Sequence, residues 1–112
     1  MPSAHQSGSA VLHCGPVRVA ITRTGRHRLL LEFMGDLDAD AAEQLERKLF
    51  LPRQARLDLD LSGLDFVDVP GMRFLVMITQ KRGGKAEVVA CSSAARRALE
   101  LSGLGRSIPV TG

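Results

Sequence analysis

The stretch Arg56-Leu57-Asp58-Leu59-Asp60-Leu61-Ser62-Gly63-Leu64-Asp65-Phe66-Val67-Asp68-Val69-Pro70-Gly71-Met72 decides the fold. Leu57, Leu59 and Leu61 alternate with Arg56, Asp58 and Asp60, so this is a strand with one dry face and one wet face. A parallel strand covered by helices on both faces would be a continuous apolar run. The alternation therefore places helices on one face of the sheet and leaves the other polar. Ser62 to Val69 reads as a loop carrying Phe66 and Val67. A helix follows from about Pro70 to Arg82, with Phe74, Leu75 and Ile78 as its core stripe and Met72 and Val76 beside them. Pro70 suits the first helical position, where its missing N–H needs no partner. Val69, just before a proline, is driven toward an extended backbone. The product is a stiff strand-to-helix corner. Gly71 adds no side chain there, so a partner could approach the backbone closely.

Toward the N-terminus, Val17, Val19 and Ile21 alternate with Arg18, Ala20 and Thr22. Leu29, Leu31 and Phe33 alternate with Arg28, Leu30 and Glu32. With Thr24-Gly25-Arg26 between them these form an antiparallel hairpin. Gly35-Asp36-Leu37-Asp38 closes the second strand and opens a helix, with Asp36 or Asp38 as the cap. Ala41, Ala42, Leu45 and Leu49 lie at helical spacing. Glu43 and Arg47 are placed for an i,i+4 pair, and Pro52 ends the element. Residues 1–15, rich in Ser, Gly, His and Ala, read as a mobile lead-in with partial order near Val11-Leu12, and the domain is expected over 16–112. Toward the C-terminus, Gly83-Gly84 stops the second helix and Ala86 to Cys91 is a strand. Ser92 or Ser93 caps a third helix that runs through Leu101 and ends at Gly103. Ile108-Pro109-Val110 is a candidate last strand. The fold class is thus α/β: a single domain with a mixed sheet of four to five strands and helices packed mainly on one face.

Composition narrows the function. Fifteen basic residues against twelve acidic ones leave a net charge of +3, and Trp and Tyr are absent. The charge balance and the lack of stacking aromatics argue against direct nucleic-acid binding. Cys14 and Cys91 are too far apart for a Cys-x-x-Cys pair and read as reduced thiols. No apolar run approaches membrane-spanning length, and Met1–Ala10 lacks the apolar core of a signal peptide. A cytoplasmic protein without membrane insertion is expected. Asp58 and Asp60 share a strand face and read as solvated, not as an acid–base pair. Lys81-Arg82-Gly83-Gly84-Lys85 lacks the Walker spacing and reads as a helix end. His5, His13 and His27 are scattered, so no metal site is expected. Without a nucleophile–base pair or phosphate cradle, no catalytic residue and no cofactor is assigned.

The central stretch resembles the core motif of STAS domains, and in particular of bacterial anti-sigma factor antagonists. In that family a strand ending Asp-Leu-Ser leads through an apolar-rich loop to Asp-Ser-Ser-Gly or Asp-Ser-Thr-Gly at a helix start. Here Asp60-Leu61-Ser62 and Asp68-Val69-Pro70-Gly71 occupy those places. Gly83-Gly84-Lys85, Val88-Val89-Ala90-Cys91, Leu99-Glu100-Leu101-Ser102-Gly103-Leu104 and the early Gly35-Asp36-Leu37-Asp38 also resemble family segments. The likeness runs from about Val17 to Val110. It implies partner switching: an unmodified antagonist binds an anti-sigma factor, often a serine kinase, and phosphorylation of a hydroxyl in the turn breaks the complex. The chain departs at that spot. Val69 and Pro70 hold the phosphosite-equivalent positions, and neither accepts a phosphoryl group. The resemblance thus implies a binding module without the usual switch, its partner a kinase-like anti-sigma factor. The expected partner-binding residues are Asp36, Asp38, Ser62, Asp68, Val69, Pro70, Gly71, Met72 and Arg73. A second reading is an accessory subunit of a membrane lipid transporter or other signalling assembly. Self-association stays open.

Overall fold

Five strands form one sheet in the order they occur along the chain: β1 (Ala10–Cys14), β2 (Val17–Gly25), β3 (Arg28–Leu37), β4 (Arg56–Val67) and β5 (Ala86–Cys91). This computed structural model describes residues 9–81, 85–103 and 110. β1, β2 and β3 pair antiparallel, and β3, β4 and β5 pair parallel. The change of direction follows from the connections. Short turns reverse the chain twice, and then α1 (Ala39–Lys48) and α2 (Val69–Gln80) carry it back to start each new strand in the same sense. α3 (Ser93–Ser102) follows β5.

The alternation in β4 is realised as expected. Leu57, Leu59 and Leu61 are fully buried in one core with Val17, Val19, Leu31, Phe33, Leu45 and Leu75. Each such leucine contributes about 2 kcal/mol by leaving water. On the opposite face Arg28 pairs with Asp58 at 2.8 Å and Arg56 with Glu87 at 2.8 Å. These ion pairs join β3 to β4 and β4 to β5 across the wet side of the sheet. The helices divide the apolar load. α1 buries Ala41, Ala42 and Leu45 along one stripe, and α3 buries Ala95 and Leu99. α2, which contacts both neighbours, buries Met72, Phe74, Leu75, Ile78 and Thr79.

Several local expectations are corrected. Ala10–Cys14, placed within the lead-in, forms the edge strand β1 against β2. It was hard to read because only Leu12 and Cys14 turn inward before Gly15-Pro16 breaks the alternation. Residues 1–8 lie outside the described residues. Ser62–Val67 is the second half of β4, not a loop. Two bulges keep it paired with β3 and disturb the period-two pattern that marks a strand. α2 spans Val69–Gln80, starting one residue before Pro70, and Gly83-Gly84 lie outside the described residues. Glu43 and Arg47 form no ion pair. The exposed face of α1 instead carries Gln44 Nε2 donating to Asp40 Oδ2 at 3.1 Å and Lys48 Nζ donating to Gln44 Oε1 at 3.2 Å. Ser92 caps α3, its Oγ accepting from the Ala95 N–H at 3.0 Å. Val110 makes an isolated parallel bridge to Val88; the other residues of the candidate last strand, 108 and 109, are outside the described set.

Candidate functional site

β3 and β4 end side by side, with Asp36 opposite Phe66 and Leu37 opposite Val67. Each strand gives way to one extended aspartate and then a helix. Asp38 has φ −102° and ψ −175°, and Asp68 has φ −96° and ψ −177°. The chain therefore turns the same corner twice, and two helix N-termini emerge as neighbours.

Both aspartates cap their own helix. Asp38 Oδ1 accepts from the Ala41 N–H at 2.9 Å, and Asp68 Oδ1 accepts from the Gly71 N–H at 2.8 Å. Asp68 does more. Its Oδ2 accepts from the Ala39 N–H at 3.0 Å, so one carboxylate holds the first turns of α1 and α2 together. Its own N–H donates to the Leu37 carbonyl at 3.3 Å. A negative group between two helix N-termini is well matched to their partial positive charge. Asp36, the other candidate cap, does not cap α1. It stays in β3, and its N–H donates to the Pro16 carbonyl at 3.1 Å.

Gly71 has an ordinary backbone, yet a Cβ there would run into the Leu37 carbonyl oxygen. The glycine is buried, and the close approach it permits is that of α2 to the end of β3. The end of β3 occupies the space that the sequence suggests is open to a partner. Met72 is also buried, at 1% exposure, and packs in the core.

The outward surface of the corner is made by other residues. Val69 is 51% exposed and Phe66 49% exposed, and Pro70 and Arg73 also face solvent. Ala39, Glu43 and Phe74 join Pro70 and Arg73 along a shallow groove between α1 and α2. Phe66, expected within a loop, lies on β4 and is not among the expected partner-binding residues. An aromatic two residues before the cap, in a chain with four Phe and no Trp or Tyr, was the available signal. Ser62 is set apart. It lies on β4 on the order of 20 Å of extended chain from Asp68, and its hydroxyl donates to Asp60 Oδ1 at 2.6 Å. The structure thus gathers Asp36, Asp38, Asp68, Val69, Pro70 and Arg73 at one end, puts Gly71 and Met72 beneath them, and leaves Ser62 on the strand.

No hydroxyl lies in the first turn of α2. Thr79, further along the helix, is buried and donates to the Val76 carbonyl at 2.8 Å. Among the described residues no group of three His, Cys, Asp or Glu side chains is arranged to hold a metal ion. No described helix is long and apolar enough to cross a membrane.

A mixed sheet with helices on one side and a capped strand-to-helix corner is the architecture of a STAS domain. Residues 20–111 match the family described as "Mlab, STAS domain", and the chain belongs to that family. Its fold is similar to that of the anti-sigma factor antagonist SpoIIAA in its unphosphorylated form, with a TM-score of 0.65 at 17% identity over 84% of this chain and 88% of that one. An anti-sigma factor antagonist from Mycobacterium paratuberculosis is similar at a TM-score of 0.68 and 24% identity, covering 88% and 89% of the two chains. Part of SLC26A9 is similar too, with a TM-score of 0.67 and 16% identity over 80% of this chain and 19% of that one. No curated protein matches the sequence closely.

Proposed function

We propose that the chain is a non-catalytic regulatory binding domain of the anti-sigma factor antagonist type. It grips a kinase-like anti-sigma factor through the corner at Asp68, without a phosphorylation switch at that corner. The observation that carries this reading is the exposed apolar pair Val69 and Phe66 beside a rigid, doubly capped helix start. Exposed apolar side chains on a stiff frame supply binding area with little ordering cost. Arg73, exposed on the first turns of α2, adds a charge that can select an acidic partner. Asp36, Asp38 and Asp68 shape the surface, while Gly71 and Met72 support it from below. Ser62 makes at most a peripheral contact.

The missing switch follows from chemistry. SpoIIAA is known in unphosphorylated and phosphorylated forms. This chain places Val69 and Pro70 where the family motif carries hydroxyls, and the hydroxyl of Thr79 is buried. The binding-competent state is then permanent with respect to that modification. The proposed location is the cytoplasm, in keeping with a transcription regulator of bacterial type.

The test uses the purified chain and a candidate kinase-like anti-sigma factor. The parent is expected to bind it and to remain free of phosphate by mass spectrometry after incubation with ATP. Val69→Glu should weaken binding at least tenfold, since it buries an unpaired charge at the contact. Pro70→Ser should become phosphorylatable and then release the partner. Stoichiometric phosphate on the parent would remove the switchless reading, and unchanged binding by Val69→Glu would move the interface elsewhere.

A second reading is supported by the match to the family described as Mlab, and by the similar domain that makes up 19% of the SLC26A9 chain. In that case the chain is an accessory subunit of a transporter or signalling assembly. Recovery of a transporter ATPase in place of a kinase-like anti-sigma factor in a pull-down would favour it.

A further inference from the structure

The pole of the molecule opposite the Asp68 corner holds a second concave feature. The β2–β3 hairpin and the connection from α1 to β4 meet around a depression of about 210 Å³ lined by Arg23, Arg26, His27, Arg28, Arg53 and Gln54. Four of these six side chains are guanidiniums. Arg28 has a counter-charge, its Nε donating to Asp58. Arg23, Arg26 and Arg53 have neither an ion pair nor a side-chain hydrogen bond among the described residues. Like charges that converge without a partner repel one another, and an anion between them removes the repulsion.

The hairpin gives an independent reason to look here. Gly25 pairs with Arg28, leaving Arg26-His27 as a two-residue turn. Tight hairpins of this length favour Asn-Gly or a glycine at the first position. Neither Arg26 nor His27 adopts a positive φ, and a bulge between Arg23 and Gly25 accommodates the turn. Turn chemistry therefore does not account for a basic pair at the tip.

We infer that this depression is a binding site for a phosphate-bearing anion. A guanidinium fork donates two parallel hydrogen bonds, and one fork already occupies both oxygens of a carboxylate. Three unpaired forks around one small hollow call for more acceptor oxygens and more charge, which clustered phosphates supply. The hollow is smaller than the pockets that enclose drug-sized molecules, so it takes the phosphate groups and leaves the rest of the ligand outside. The site is remote from the Asp68 corner and does not depend on what binds there.

Inorganic pyrophosphate, titrated calorimetrically against the full chain, is the first probe. Vesicles of phosphatidylcholine with and without phosphatidylglycerol, followed by cosedimentation, are the second. Arg26→Ala/Arg53→Ala should weaken binding of the responsive probe at least about tenfold, the loss expected for charge-assisted hydrogen bonds. These side chains are exposed and unpaired, and removing them relieves repulsion, so the urea midpoint should not fall below the parent value. Arg47→Ala/Arg97→Ala removes the same charge from exposed positions on α1 and α3 and should leave binding unchanged. Pyrophosphate binding without vesicle binding assigns the site to a soluble phosphate compound. Vesicle binding that pyrophosphate displaces assigns it to a lipid headgroup. If neither probe binds, or if the control pair weakens binding as much as the site pair, the inference is overturned.

Discussion

Asp68 is the residue on which the proposed site turns, and its geometry makes a graded prediction. Its carboxylate accepts from Gly71 on its own helix and from Ala39 on the neighbouring one. Asp68→Ala removes both bonds and should cost about 2 kcal/mol, roughly a capping interaction for each helix. Asp68→Asn keeps one oxygen for Gly71 but turns an amide nitrogen toward the Ala39 N–H, so about half that loss is expected. Urea unfolding measures both, and the Ala39 amide should exchange faster in each variant. Equal stability of the two variants would show that the Ala39 bond contributes nothing. Cys14 makes a prediction about pH. Burial pushes its thiol above the ordinary value of 9.0, against a smaller opposing pull from Lys48. The folded chain keeps this proton to higher pH than the unfolded chain does. The stability it contributes is full below the unfolded value and is lost as pH rises through the folded one. The urea midpoint should therefore fall as pH rises past the ordinary thiol value of 9.0, and the fall should be shallower in Cys14→Ala. At this scale the sequence was legible wherever one residue's own chemistry decides the outcome. The abrupt helix start at Asp68-Val69-Pro70-Gly71 needed only Pro70 and its effect on the residue before it. Its second bond, to Ala39, could not be read, because it depends on where another element ends.

Two helix ends show glycine used for opposite reasons. Gly103 terminates α3 with φ 73°, and a Cβ there would meet nothing within 4 Å among the described residues. Gly71 opens α2 with an ordinary φ, but a Cβ there would strike the Leu37 carbonyl. Gly103→Ala should cost about 1 kcal/mol, the conformational penalty alone. Gly71→Ala forces helix and strand apart and should cost about 3 kcal/mol, near the top of the overpacking range. Chemical denaturation of the two variants checks the order, and a Gly71→Ala midpoint at or above that of Gly103→Ala would contradict the steric account. The Gly103 stop could be read from the sequence because helix C-caps have a local signature. The role of Gly71 could not, since the carbonyl it approaches lies far back in the chain at Leu37. The same distinction explains β4. Its first half alternates cleanly and declared itself, but its second half is bulged, and only its pairing with β3 reveals it as strand.

At the scale of the whole molecule, aspartates gather at one end of the central strands, with Arg73 among them, and arginines at the other, beside Asp58 and Glu87. Asp36, Asp38, Asp40, Asp65 and Asp68 lie around the ends of β3 and β4, while Arg23, Arg26, Arg28, Arg53, Arg56 and Lys85 lie around their beginnings. The small net charge hid this, because totals average over position. The core is uneven too. β3 and β4 carry Leu31, Phe33, Leu57, Leu59 and Leu61 at the centre, whereas β1 turns only Leu12 and Cys14 inward at the edge. Amide exchange should be slowest in the middle of β3 and β4 and fastest in β1. Comparable protection across all five strands would argue against this uneven core. The strand order carries a consequence for synthesis. Each strand pairs with the one made just before it, from β1 through β5. Nothing has to be threaded between strands already in place, so the sheet can grow at its leading edge while the chain is still emerging. Each new strand closes only a local loop, which favours fast folding. The edge left waiting at each stage is shielded only when the next strand arrives, and a pause in synthesis after β4 would leave as that open edge a strand whose Leu57, Leu59, Leu61 and Leu64 are all buried in the finished fold.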